Sequence, residues 1–91
     1  MPLQTENFKI VKMGDCCGGY FSTIYKGREI CLEPCCNGFD IGVYDQNQNI
    51  LRPKICTNLT GANLISSLDK AVDIVNDIIL NEPGLFVMKE V

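Results

Sequence analysis

The hydrophobic period of this chain changes once, and that change limits what it can fold into. From Phe39 to Asp45 the period is two. Phe39, Ile41 and Val43 fall on one side of an extended backbone, and Asp40, Gly42 and Tyr44 on the other. From Leu64 onward the apolar residues are Leu64, Leu68, Ala71, Val72, Val75, Ile78 and Ile79, at steps suited to one face of a helix. A half-buried strand and an amphipathic helix each have one apolar side that must be covered by another element. The expected fold class is therefore α+β, with one C-terminal amphipathic helix packed on one face of a sheet.

The sheet is predicted upstream of the helix. "FKIVKM" (8–13) is apolar and β-branched and is closed by Gly14. "YFSTIY" (20–25) suits a pleated surface, "KGR" (26–28) turns, and in "EICLE" (29–33) Ile30 and Leu32 alternate with Glu29, Cys31 and Glu33. Pro34 is expected to end that strand. After residues 39–45 comes "ILRPKIC" (50–56), where Pro53 marks an edge or an interrupted strand. Short connections favour an antiparallel β-meander of four or five short strands.

A helix start at Ser66 with Asp69, or nearer Asn63, is read from the capping pattern, and Pro83-Gly84 stops the helix. Leu68, Val72, Val75 and Ile79 are expected to be buried, with Asp69, Asp73 and Asn76 wet. Residues 85–91, "LFVMKEV", are read as an extended tail or final strand. All 91 residues form one domain (1–91), because a chain this short buries only about 60–65% of its unfolded surface and supports one modest core.

Charge narrows the partners. The chain has 11 acids and 8 bases, for a net charge of −3. The excess acid lies in the C-terminal third, and no basic stripe of the kind nucleic-acid binders use is present. No segment has the length and apolarity of a membrane span, and no secretory leader is visible, so a cytoplasmic protein is expected. Asp69, Asp73 and Asp77, at steps of four, form an acidic ridge on one helix face. A solvated face is the plain explanation; a surface for a basic protein partner is the functional one.

Two adjacent-cysteine stretches, "GDCCGGY" (14–20) and "EPCCNGF" (33–39), are the feature that bears most on chemistry. In a meander they fall in turns at the same end of the sheet, within about 10 Å given the ~4.8 Å strand spacing. Three readings stay open. The thiols can be reduced and buried, as small hydrophobes. Cys16, Cys17, Cys35 and Cys36 can supply a four-sulfur zinc site, although adjacent cysteines rarely both reach one ion. The pairs can also form disulfides or act as a redox sensor. The residues favour reduced thiols, hence no cofactor, with zinc as the alternative. Cys31, mid-strand beside Glu29 and Glu33, is the poorest candidate ligand.

The sequence contains no histidine. That removes Ser-His-Asp and Cys-His catalysis within the chain. Tyr20, Tyr25 and Tyr44 are read as cross-strand packing partners. The expected function is a small soluble non-enzymatic module for protein–protein interaction, self-associating as a homodimer with the C-terminal tail near the interface. The alternative is a cysteine-cluster protein that binds zinc or senses redox state.

Overall fold

The computed structural model describes residues 3–11, 19–35, 38–58 and 64–86. Five strands form one antiparallel meander in the order β1-β2-β3-β4-β5. They are β1 (Lys9–Val11), β2 (Tyr20–Tyr25), β3 (Arg28–Cys35), β4 (Gly38–Tyr44) and β5 (Ile55–Asn58). One helix, α1 (Leu64–Asn81), follows and packs against the sheet. Short 3-10 turns at Thr5–Asn7 and Pro83–Phe86 flank the two ends.

Alternation determines the two faces. Ile30, Leu32, Phe39, Ile41 and Val43 are buried on the helix side. From α1, Leu68, Ala71, Val72, Val75 and Ile78 meet them, with Phe8 and Phe86 closing the ends of the core. Removing each large side chain from water contributes about 1.5–3 kcal/mol, so this layer is the main favourable term.

The β2–β3 connection is tighter than "KGR" suggests. Tyr25 pairs with Arg28, and only Lys26 and Gly27 turn, with φ of 48° and 76°. Two successive positive φ values match the right-handed strand twist, and glycine adopts the second without strain.

Pro34 does not end β3, which runs on to Cys35. The ladder explains why. The Phe39 N–H donates to Thr57 Oγ1 at 3.0 Å, and that hydroxyl donates to the Phe39 carbonyl at 2.9 Å. Phe39 thus bonds toward β5, and its pair with Pro34 exchanges no backbone bond. The proline nitrogen turns to the other side, where β2 pairing has already stopped at Leu32. Gly38 permits the same close seam, because a Cβ there would lie 1.7 Å from the Thr57 carbonyl oxygen.

The fifth strand is displaced from the expected 50–56. Ile50 makes a single bridge to Tyr44, the chain breaks from the ladder around Pro53, and β5 begins at Ile55. Between these, Asp45 organises the turn: its Oδ1 accepts from the N–H of Asn47 at 2.8 Å and of Asn49 at 2.9 Å.

Two helix expectations need correction. Ile79 is half-buried, and Ile78 holds the buried position, in a last turn covered also by the Pro83–Phe86 segment. Asn76 is not a wet residue. Its Oδ1 accepts from Leu3 N–H and its Nδ2 donates to the Leu3 carbonyl, both at 2.8 Å. Of the expected tail 85–91, only Leu85 and Phe86 are among the described residues. Leu85 and Phe86 belong to a 3-10 turn, with Phe86 2% exposed and edge-on to Tyr25 at 5.5 Å. Arg28 Nε holds this turn by donating to the Leu85 carbonyl at 2.8 Å. Residues 87–91 lie outside the described residues.

Candidate functional site

The face of the sheet turned away from α1 is the candidate site. Register places its side chains in rows. Val11, Tyr20, Glu33, Asp40 and Cys56 lie across one end, and Ile24, Glu29 and Tyr44 across the other. Between them runs a row of smaller residues, Ser22, Cys31 and Gly42, with Lys9 at the β1 end. The small row leaves a trough between two rows of larger side chains.

Tyr44 fills part of that trough. Its ring lies over Gly42, where an added Cβ would come within 2.8 Å of it. Ser22, 8% exposed, donates to Glu29 Oε2 at 2.8 Å, and Gln48 Nε2 donates to Glu29 Oε1 at 3.3 Å. Lys54 pairs with Glu33 at 3.6 Å. A hydrogen bond with Tyr44, then the Glu33 charge, raise its pKa above the usual lysine value.

At the centre is Cys31, 5% exposed. Burial, then the charge of Glu29, pushes its thiol up to about 11; Glu33 adds to the rise, while a Ser22 hydrogen bond and Lys54 oppose it. Burial foremost, then the charge of Cys31 and after it those of Glu29 and Glu33, raises the pKa of the Tyr20 hydroxyl. The thiolate is the nucleophilic form of cysteine, so at neutral pH this centre is a protonated thiol under polar cover.

The β1–β2 border of this face is different in character. Ile10, 61% exposed, lies on the helix side of the same border; on this face Val11 and Ile24 are exposed, Ile24 at 67%. A groove of about 360 Å³ runs beside them, lined by Asn7, Lys9, Val11, Ser22, Thr23, Ile24 and Glu29. A second, also about 360 Å³, adjoins it at Ile24 and Glu29 and extends to Asp45 and Gln48.

Of the expected cysteine site, Cys16, Cys17 and Cys36 lie outside the described residues, as does any distance between the two pairs. Cys35 closes β3 opposite Gly38. The strand ends that flank the two stretches, Val11 with Tyr20 and Cys35 with Gly38, do lie at the same end of the sheet. Cys56 is exposed on β5, opposite Asp40. Among the described residues, no group of three or more His, Cys, Asp or Glu residues is placed to hold a metal ion. Asp69, Asp73 and Asp77 are all exposed, and Asp69 accepts a hydrogen bond from the Thr5 hydroxyl.

Alternation in the sequence puts Glu29, Cys31 and Glu33 together. The parts it misses are Ser22 and Gly42, which join Cys31 only once register is known, and Gln48, which arrives from a turn. Among the described residues no helix is long and apolar enough to cross a membrane. No protein-family model matches the chain, and no curated protein or solved structure matches it.

Proposed function

We propose that this chain is a non-enzymatic protein-interaction module, with a second copy of itself as the partner. The observation that supports this is the β1–β2 border. There a strand edge with no described neighbour lies beside exposed Ile10, Val11 and Ile24 and a groove. Unpaired edges and clustered apolar side chains are both relieved by a protein partner. Two features favour binding over catalysis: a sequence without histidine and a Cys31 thiol held protonated. The test is sedimentation equilibrium of the reduced protein over a wide concentration range. A mass that rises from monomer to dimer supports self-association; a constant monomer mass contradicts it.

A second reading, a zinc-binding or redox-sensing cysteine cluster, is favoured by one observation. The strand ends leading into both Cys-Cys stretches share one end of the sheet. Metal analysis and a thiol count of the purified protein decide it. Stoichiometric zinc held by Cys16, Cys17, Cys35 and Cys36, or fewer than the full set of titratable thiols, would support it. A full thiol count without metal would oppose it.

A further inference from the structure

We propose that two copies join edge to edge through β1, antiparallel about a two-fold axis at Ile10, to make one continuous ten-stranded sheet. This rests on the self-association reading and specifies its seam. Lys9, Ile10 and Val11 are all exposed, and among the described strands β1 pairs only with β2. Its outer backbone groups are therefore a template for one more strand.

Charge and alternation choose the register. In a two-fold antiparallel pairing, side chains keep their faces only if the axis passes through a residue, because strand side chains alternate with period two. An axis at Lys9 sets two ammonium groups directly opposite one another, which is unfavourable. An axis at Val11 pairs only Val11 within the described strand. An axis at Ile10 sets Ile10 against its copy and Lys9 beside Val11, so every residue of β1 is paired and no like charges are opposed.

Ile10 shares a face with Phe21, on the helix side, so the Ile10 pair covers the apolar surface most exposed on β1. The axis runs perpendicular to the sheet. Both helices then lie on one face, and the two Cys31-centred polar faces become continuous on the other. The contact is isologous and closes at two copies. A three-residue seam falls short of the ~1,200–2,000 Å² of a stable interface, so the dimer is weak and dissociates on dilution.

Charge exchange at Ile10 tests the register. Ile10→Lys and Ile10→Glu are made separately; the site is exposed, so both fold, which circular dichroism checks. Each is analysed alone and in an equimolar mixture by sedimentation equilibrium beside wild type. The expected result is at least a tenfold loss of association for each variant alone and recovery to the wild-type level or better in the mixture. Wild-type dimerisation with both variants associating equally well would overturn the β1 seam and leave self-association standing. Loss in each variant without recovery in the mixture would overturn the Ile10 register. A wild-type protein that is monomeric at every concentration would overturn self-association and the seam together.

Discussion

Asn76 borders the apolar stripe of α1, and its amide acts there as a peptide group would, giving one bond to Leu3 and accepting another. Asn76→Ala removes both and leaves Leu3 backbone groups in a half-buried site. The expected loss is about 1–2 kcal/mol in urea unfolding, with faster amide exchange at Leu3. No pattern in the sequence announces this clamp, because an asparagine on a helix flank has the same signature as a solvated one. Cys31 was legible as to face, but its burial was not, since that depends on the neighbours Ser22 and Gly42 that only the strand register brings beside it. The consequence is a pH dependence. Below pH 9.0, the ordinary thiol value, both folded and unfolded chains keep the Cys31 proton and its contribution is complete. Between 9.0 and about 11 the unfolded chain releases its proton first, so stability falls as pH rises through that window. The magnitude is on the order of 2–3 kcal/mol. Urea midpoints on either side of the window should separate for wild type and move closer in Cys31→Ala, since Tyr20 and Lys54 titrate in both.

At the scale of elements, the period-two and helical patterns were legible because each follows from one face being buried. Val72, 3% exposed, and Asp73, fully on the wet side, are neighbours on α1 and give a clean contrast. Val72→Asp puts an unpaired charge in the core and should abolish cooperative unfolding. Asp73→Ala should stay within about 0.5 kcal/mol of wild type. Equal urea midpoints for the two variants would mean the helix face is wrong. Strand limits were less legible. Proline ends a strand only when its nitrogen faces a partner, and Pro34 faces past the end of β2 pairing. At Pro53, by contrast, the ladder does break, and β5 starts two residues later.

On the scale of the whole molecule, the meander and its single helix layer were readable, while the closure of the two chain ends was not. "LFVMKEV" has no period that distinguishes an arm from a turn, and Phe86 becomes core only because Arg28 and Tyr25 receive it. Truncation after Gly84 therefore removes a core residue. It should cost about 3–5 kcal/mol, read as a lower urea midpoint, whatever it does to oligomeric state. The central claim concerns the opposite border, where the β1 edge stands as the partner surface. Amide hydrogen exchange of wild-type protein, compared at high and low concentration, tests it most directly. The account predicts that the Ile10 amide, which alternation turns to the outer edge while Lys9 and Val11 bond β2, gains protection as concentration rises, and that the exposed Asp69–Asp77 face of α1 does not change. Unchanged β1 protection, or protection gained along α1 in its place, would contradict it.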